Sequence, residues 1–451
     1  MSIGAHDEHD RRARLVRAMV VLPLLQDAKR RGFERSEDRL EEAVGLAQAI
    51  ELDVVFHDMV MVSSVRPSTL FGSGKLDEFA ALIDELSVDL LIVDHNLTPI
   101  QQRNLERALK TKVLDRTGLI LEIFGRRART REGRLQVELA HLTFQRSRLV
   151  RSWTHLERQR GGVGFLGGPG ESQIETDRRL LQDRITKIRQ ELSKVVRTRE
   201  LHRKGRKEIP YPVVAIVGYT NAGKSTLFNR LTSAGVLAQD QVFATLDPTM
   251  RELVLESSKR VILSDTVGFI SDLPTMLVAA FRATLEEVVE ADLVLHVRDI
   301  SHPETDAQRD DVETILKELA LPVDGPDCNI IEVWNKVDLL DDEALELLAL
   351  ETKRSAHAPV IISALTGAGC HKLCSAIDAW FSRDDIEARV QVPVTHGREI
   401  NWLHENTQVV ERTATETGDL DFTVRLSLAD LGRLNTRLKD AGLTAAVQQR
   451  S

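Results

Sequence analysis

Residues 213–225, with the sequence VVAIVGYTNAGKS, decide the fold of the central part of this chain. The first five residues are apolar and predict a buried strand, and Leu227, Phe228 and Leu231 predict a helix after the loop. The pattern Gly-x4-Gly-Lys-Ser between a strand and a helix is typical of a P-loop. Its glycines let backbone N–H groups converge on a phosphate, and the helix N-terminus favours the negative charge. We therefore expect a nucleotide phosphate at this loop.

Two side chains of the loop have defined expected roles. Lys224 would place its charge across the β- and γ-phosphate oxygens, and the Ser225 hydroxyl would ligate Mg²⁺. The whole segment is expected to contact the nucleotide, through Gly218, Tyr219, Thr220, Asn221, Ala222, Gly223, Lys224, Ser225 and Thr226.

A second motif follows the apolar run at residues 261–264. It consists of Asp265, Thr266, Val267 and Gly268. Asp265 is expected to hold the Mg²⁺ shell through water, and the Gly268 N–H is expected to reach a γ-phosphate oxygen.

Two more segments match a guanine base. Residues 330–334 lead into Asn335, Lys336, Val337 and Asp338, and residues 360–362 lead into Ser363, Ala364 and Leu365. The Asp338 carboxylate fits the N1–H and exocyclic amine of guanine, and adenine offers no such pair of donors. The Ser363–Leu365 segment is placed to offer a backbone N–H to guanine O6. Four segments in this order, each after an apolar strand, predict a guanine-nucleotide site.

Composition narrows the class of protein around this site. A chain of 451 residues is too long for one core, and three cysteines cannot form a disulfide framework. No apolar run approaches the roughly 18 residues of a membrane span. We expect a cytoplasmic protein of several domains without stable membrane insertion, and we leave peripheral membrane association open.

The N-terminal region reads as alternating helices and strands. Apolar residues between Leu40 and Ile50 have helical spacing, and residues 52–56 and 90–93 read as strands. Thr98-Pro99-Ile100-Gln101 matches a capping box with proline at the first helical position. Residues 71–75, FGSGK, are an incomplete P-loop, which we interpret as a strand-to-helix turn, with a second nucleotide site left open. This pattern predicts a small α/β domain over residues 1–128.

A basic, helical region follows this domain. Residues 103–208 contain 27 basic and 13 acidic residues, although the whole chain has a net charge of −9. Leu135, Leu139 and Leu142 begin one heptad stripe and Leu181, Ile185 and Ile188 begin another. Six glycines within residues 161–170 interrupt the helical pattern. We expect an antiparallel hairpin over residues 129–208, which the glycines favour over a coiled-coil dimer.

The basic charge of this hairpin indicates a polyanionic partner, with RNA the leading choice. The candidate RNA contacts are Gly161, Gly162, Gly164, Phe165, Gly167, Gly168, Arg178 and Arg179.

The nucleotide domain would span residues 209–385. A small α+β domain over residues 386–451 would read strand, helix, strand, turn, strand, helix.

The chain resembles the HflX family, in the translation-factor class of P-loop GTPases. The resemblance is carried by GGVGFLGGPGESQIETD (161–177), GYTNAGKST (218–226), FATLDPT (243–249) and DTVGF (265–269), and it spans about residues 17–381. It implies an α/β P-loop GTPase domain that uses Mg²⁺ and hydrolyses GTP to GDP. It further implies a monomer that binds the large ribosomal subunit and its RNA, and that splits or rescues stalled ribosomes.

The resemblance also assigns a switch segment, with contacts at Phe243, Ala244, Thr245, Leu246 and Asp247. It favours Thr245 as the threonine that ligates Mg²⁺, whereas spacing alone leaves Thr249 equally open. Lys224, Thr245 and Gly268 are the expected catalytic groups.

Phe269 stands where many GTPases have a glutamine that orients the attacking water. Our hypothesis is that hydrolysis by the isolated protein is slow and that ribosomes stimulate it. In the alternative, Phe269 packs against the sheet and another group positions the water. Two other functions remain open, a ribosome-assembly or RNA-remodelling GTPase and an RNA-binding scaffold with a structural nucleotide site.

Overall fold

The computed structural model describes the chain in segments, which form three β-sheets and one helical hairpin. The described residues are 15–25, 34–128, 130–159, 169–206, 211–232, 249–257, 259–271, 282–323, 325, 328–352, 358–415, 418–443 and 445–447. Within these segments, no helix has both the length and the apolar character needed to cross a bilayer.

The first sheet is parallel and has the strand order β2-β1-β3-β4. Its strands are β1 (Arg17–Leu25), β2 (Asp53–Val62), β3 (Leu90–Val93) and β4 (Lys112–Asp115), and its helices are α1 (Glu34–Gln48), α2 (Ser73–Leu86), α3 (Pro99–Leu109) and α4 (Arg116–Arg127). Apolar clusters cover both faces, which explains why β1 and β3 are continuous apolar runs. The predicted α/β character of this region is confirmed.

Two local predictions in this region are confirmed. Thr98 and Gln101 form a reciprocal capping box at the start of α3, with Pro99 at the first helical position. The Phe71–Lys75 segment is a turn that leads into α2, and the Lys75 ammonium is paired with Glu78 at 2.8 Å.

Helices α5 (Arg131–Gln159) and α6 (Pro169–Arg206) pack on each other within one chain. Arg146 of α5 donates to Gln182 of α6 at 2.6 Å, and Arg184 of α6 donates to Glu138 of α5. Because residues later in α5 pair with residues earlier in α6, the helices are antiparallel. The hairpin is confirmed as an intrachain element. Of its predicted tip at residues 161–170, residues 161–168 lie outside the described residues, and Pro169 and Gly170 begin α6 instead of belonging to the loop.

The second sheet has six strands in the order β10-β9-β8-β5-β7-β6. They are β5 (Val213–Gly218), β6 (Thr249–Val254), β7 (Arg260–Asp265), β8 (Leu293–Asp299), β9 (Ile330–Asn335) and β10 (Val360–Ile361). Its helices are α7 (Lys224–Thr232), α8 (Arg282–Val289), α9 (Thr305–Glu318), α10 (Asp342–Thr352) and α11 (Cys370–Ser382). Every pairing is parallel except that of the edge strand β6 with β7. The carboxyl ends of four parallel strands, β5, β7, β8 and β9, therefore meet at one edge.

The third sheet is antiparallel, with the order β12-β13-β11-β14. The elements follow the chain as β11 (Ile386–Pro393), α12 (Gly397–Asn406), β12 (Gln408–Ala414), β13 (Asp419–Leu426), α13 (Leu428–Asp440) and β14 (Ala445–Val447). This is a ferredoxin-like βαββαβ arrangement. The predicted order is correct as far as α13, but the final strand β14 was not predicted.

Candidate guanine-nucleotide site

The P-loop lies at the carboxyl end of β5, between β7 and β8. Gly218 has a φ of +152°, and a Cβ atom there would stand 2.1 Å from the carbonyl oxygen of Val297. The loop therefore approaches β8 so closely that only glycine fits at its first position.

Gly223 fixes the other end of the loop. It has a φ of +88°, and a Cβ atom would lie 2.3 Å from Nδ2 of Asn335. The Asn335 amide donates to the Ala222 carbonyl at 2.8 Å, and its oxygen accepts from the Ala364 N–H at 2.8 Å. Asn335 therefore joins the phosphate loop to the segment expected to face the base.

Lys224 begins α7 and is buried. Its ammonium group donates to the Tyr219 carbonyl at 2.6 Å, which draws the side chain back across the loop. Burial lowers the pKa of Lys224 to about 8, although the nearby Asp265 carboxylate favours the charged form. A phosphate anion at this point would restore the charged form.

Ser225 and Asp265 bring two oxygen donors together. The Ser225 hydroxyl donates to Oδ2 of Asp265 at 2.8 Å, and Asp265 is fully buried. Mg²⁺ prefers oxygen ligands and keeps several waters and substrate phosphates, so two protein oxygens are a fitting set for it. Ser225 and Asp265 therefore fit the Mg²⁺ site that the sequence predicted.

The motif after β7 is joined to the P-loop through the backbone. Thr220 N–H donates to the Phe269 carbonyl at 2.7 Å, and Phe269 N–H donates to the Gly218 carbonyl at 3.1 Å. A Cβ atom on Gly268 would lie 3.1 Å from Lys224 Nζ, so the Gly268 backbone stands beside the phosphate lysine. The Phe269 side chain is 1% exposed within the apolar core, as the packing alternative for this residue requires.

The expected base-binding residues lie at the ends of β9 and β10. Lys336 has a φ of +66°, and its ammonium group lies 2.7 Å from Oδ2 of Asp299. Asp338 is exposed on a single 3₁₀ turn, Val337–Leu339. Ser363 and Ala364 are buried, whereas Leu365 is exposed. The structure therefore brings the four predicted segments to one edge of the sheet.

Other predicted contacts have different positions. Phe243, Ala244, Thr245, Leu246 and Asp247 lie outside the described residues, as do Gly161, Gly162, Gly164, Phe165, Gly167 and Gly168. Thr249 begins β6 and lies opposite Asp265 in the ladder. Thr226 lies in the first turn of α7, Thr266 and Val267 are buried, and Arg178 and Arg179 are exposed on α6.

A polar cluster that the sequence analysis did not predict connects this site to the N-terminal sheet. The Tyr219 hydroxyl donates to Glu42 of α1 and accepts from the Ser271 N–H at 2.8 Å. Arg116, 2% exposed, pairs with Glu42 and with Asp94, and it donates to the Ser271 carbonyl at 2.9 Å. We call Glu42, Asp94, Arg116, Tyr219 and Ser271 the interdomain cluster.

Electrostatics stabilise the ionised cluster. Burial and the Glu42 carboxylate raise the pKa of Tyr219 well above its ordinary value, so the phenol stays protonated and donates. Burial disfavours the Asp94 carboxylate, but Arg116 and Arg39 outweigh burial and lower the pKa of Asp94. No local sequence pattern marks these residues, because their partners are far apart along the chain.

The sheet order, the P-loop and the guanine-binding motifs define a P-loop GTPase, which hydrolyses GTP. Four family profiles match the chain in succession. They are "GTP-binding GTPase N-terminal" at residues 37–125, "GTP-binding GTPase Middle Region" at 127–206, "50S ribosome-binding GTPase" at 213–336 and "HflX C-terminal domain" at 349–447.

Curated relatives agree with these profiles. The chain is 50% identical over 407 residues to GTPase HflX of Magnetococcus marinus, covering 90% of this chain and 91% of that protein. It is 44% identical over 369 residues to GTPase HflX of Escherichia coli, covering 82% and 85%. The chain belongs to the GTPase HflX family.

Proposed function

We propose that this GTPase binds the large ribosomal subunit through its basic hairpin, and that the bound nucleotide controls this binding. The observation that carries the proposal is the interdomain cluster, because it joins the P-loop residue Tyr219 and the residue Ser271 to the sheet that supports the hairpin. The match to the profile of 50S ribosome-binding GTPases supports the choice of partner.

The hairpin meets the N-terminal sheet next to this cluster. Arg148 of α5 pairs with Asp115 at the end of β4, and Asp115 immediately precedes Arg116 of the cluster. Val137 and Ala140 of α5 are buried in the same apolar core as α4 residues. The hairpin is therefore anchored to the sheet by an ion pair and by apolar packing.

The exposed face of α6 supplies the charge for an RNA contact. Arg178, Arg179, Lys187, Arg189 and Arg197 are exposed along this helix. Arginine and lysine on one helix bind phosphate oxygens and release counterions from the nucleic acid. We assign Arg178 and Arg179 to the RNA contact, together with the glycine-rich segment at residues 161–168.

At the nucleotide, the geometry of the described residues supports the following assignment, to which the family resemblance adds Thr245. Lys224 would bind the β- and γ-phosphates, the Gly268 N–H would bind the γ-phosphate, and Asn335 and Asp338 would orient and select the base. Ser225, Asp265 through water, and Thr245 would hold Mg²⁺, which when bound would neutralise charge on the phosphates during transfer. The site residues would position the phosphates and the base, and an added group on the ribosome would complete the organisation of the attacking water.

Splitting of stalled ribosomes would follow if the GTP-bound protein binds the separated large subunit more tightly than the joined ribosome, since a ligand shifts an equilibrium only by its differential affinity for the two states. With ribosomes as the proposed partner, we also propose a cytoplasmic location. A monomeric state and peripheral membrane association stay predictions.

Co-sedimentation of the full chain with ribosomes tests the proposal. We expect strong binding to large subunits with a non-hydrolysable GTP analogue and weak binding with GDP. Equal binding in both states would instead support an RNA-binding scaffold. Co-sedimentation with immature subunits in place of mature ones would support an assembly function. Failure of large subunits to stimulate single-turnover hydrolysis would contradict the proposed role of the ribosome.

A paired substitution tests the hairpin contact. Replacing Arg178 and Arg179 by Gln should weaken ribosome binding and reduce the dependence of log K on log salt by about 0.7–0.9 for each lost phosphate contact. Arg260→Gln is the control, because Arg260 is exposed on the nucleotide domain, away from the hairpin, and forms a surface ion pair with Glu252.

A further inference from the structure

Arg230 belongs to none of the nucleotide-binding motifs, yet it contacts one of them. It lies in the last turn of α7, the helix that begins at the P-loop lysine. Its Nε donates to the Ala364 carbonyl at 2.9 Å, and its Nη2 donates to the Leu365 carbonyl. One guanidinium group therefore binds two successive carbonyls of the segment that is expected to face the base.

The loop that Arg230 contacts is already closed on itself. Ser363 N–H donates to the Ala368 carbonyl at 2.9 Å, and Gly367 N–H donates to the Ser363 carbonyl at 2.8 Å. Thr366 N–H donates to the Ser363 hydroxyl at 3.0 Å. These bonds fix the ends of the loop and the peptide group between Leu365 and Thr366, and they leave the orientation of the peptide group between Ala364 and Leu365 to Arg230.

Because the peptide group is planar, the bond from Arg230 to the Ala364 carbonyl also determines where the Leu365 N–H points. In a trans peptide the carbonyl and the following N–H point in opposite directions. When the Ala364 carbonyl faces Arg230, the N–H of Leu365 must therefore face away from it. The Ala364 N–H is meanwhile directed at Asn335, the side chain that also bonds to the P-loop.

Gly367 makes the close approach of the arginine possible. It has a φ of +92°, and a Cβ atom there would lie 3.0 Å from Nη1 of Arg230. A side chain at this position would be strained and would crowd the guanidinium. The loop and Arg230 therefore fit each other as a pair.

We propose that Arg230 is a positioning residue that sets selectivity for the 6-oxo group of guanine. It holds the Ala364 and Leu365 carbonyls on the side of the loop away from the base, so that the Leu365 N–H faces the base. The inference rests on the proposed function, because it takes Ser363–Leu365 as the segment that binds O6. Lysine cannot replace it fully, since a single ammonium lacks the fork that binds two carbonyls at once.

Comparing the affinities for three nucleotides distinguishes an effect of Arg230 on O6 recognition from a general effect on nucleotide binding. GDP carries O6, 6-thio-GDP replaces that oxygen with a weaker acceptor, and IDP keeps O6 but lacks the exocyclic amine expected to meet Asp338. The affinity of the full chain for each is measured by titration calorimetry in wild type, Arg230→Gln, Arg230→Lys, Asp338→Asn and the charge control Arg260→Gln.

In Arg230→Gln, we expect the preference for GDP over 6-thio-GDP to fall about tenfold while the preference for GDP over IDP is unchanged. Arg230→Lys should lose part of the first preference, and Arg260→Gln should behave as wild type. A tenfold change lies within the range of one hydrogen bond from a neutral backbone N–H, which is the bond to O6 that the variant would disturb.

Other results overturn the inference. An unchanged preference for GDP over 6-thio-GDP in both Arg230 variants, or an equal loss of affinity for all three nucleotides, would show that Arg230 does not act through O6. The proposed base site is judged separately, since it fails if Asp338→Asn leaves the preference for GDP over IDP as it is in wild type.

Discussion

Lys224 makes nucleotide affinity depend on pH. Burial lowers its pKa to about 8, and a bound phosphate must raise this pKa because an anion favours the ammonium form. Binding therefore takes up a proton above pH 8, so affinity is constant below that pH and falls as pH rises through it. We expect log Kd for GDP to rise with a slope approaching one per pH unit.

Calorimetry in two buffers of different ionisation enthalpy measures this proton directly. The observed binding enthalpy should depend on the buffer at pH 9 and not at pH 7. Lys224→Met, which has no titrating group, should bind GDP weakly with little slope above pH 8. A flat wild-type profile up to pH 9.5 would contradict the assignment of Lys224 to the phosphates.

At this scale the sequence predicted residues whose role depends on local spacing. Lys224, Ser225, Gly218 and Gly223 lie within one loop, and the structure brings them together with Asp265 and Asn335. Arg230 was not predicted, because its partner carbonyls lie at Ala364 and Leu365, far along the chain. Only tertiary structure defines such contacts.

At the scale of helices and strands, replacing Gly218 in β5 and Gly432 in α13 by alanine should change stability in opposite directions. Gly218→Ala should destabilise the protein by about 3 kcal/mol or more, because the added Cβ meets the Val297 carbonyl and the φ of +152° is unfavourable for alanine. Gly432→Ala should stabilise it by about 0.5–1 kcal/mol, because Gly432 lies within α13 with open space around it. Thermal unfolding measures both, and a stabilised Gly218→Ala would contradict the described loop.

We expect the stability of the hairpin to depend more on the apolar side chains buried between its helices than on its exposed ion pair. Ile185→Ala should cost about 2–5 kcal/mol, because Ile185 is fully buried between the helices. Arg184→Gln, next to it, should cost less than about 1 kcal/mol, since the ion pair with Glu138 is exposed. Hydrogen exchange of α5 and α6 amides reports both, and similar protection in the two variants would argue against the packed hairpin.

Elements with a strong pattern were predictable, and the short strand β14 was not. The capping box at Thr98 and the heptad stripes each contain several residues with one spacing, so they predicted α3 and the hairpin. Strand β14 has three residues, Ala445–Val447, and owes its position to pairing with β11. A three-residue alanine-rich segment has too little periodicity to indicate a strand.

In the whole molecule, the interdomain cluster is expected to carry a large part of the contact between the N-terminal sheet and the nucleotide domain. Arg116→Met should destabilise the protein by about 3–5 kcal/mol, because it leaves partly buried Glu42 without its arginine and buried Asp94 with Arg39 as its remaining cation. Tyr219→Phe removes one hydroxyl and keeps the ring, so its cost should be nearer 1–2 kcal/mol.

A double-mutant cycle separates the contact from a general loss of stability. Glu42→Met and Tyr219→Phe remove the two partners of one hydrogen bond, so their effects on unfolding should add up to more than that of the double variant. The same cycle for Arg260→Gln with Tyr219→Phe is the control and should be additive. Additivity in both cycles would argue against the Glu42–Tyr219 contact.

Asp115 and Arg116 are consecutive, so one peptide unit of about 3.8 Å separates the residue that pairs with α5 from the residue that pairs with Ser271. Helix α5 continues for eleven residues beyond Arg148, or about 16 Å. A rigid helix pivoting at Arg148 by about 10° would move its last residue by about 3 Å, a geometric amplification of any small tilt at the end of β4. A small tilt at the contact between Asp115 and Arg148 would thus be enlarged at the far end of α5, and Arg116, the next residue, bonds to Ser271 of the nucleotide domain.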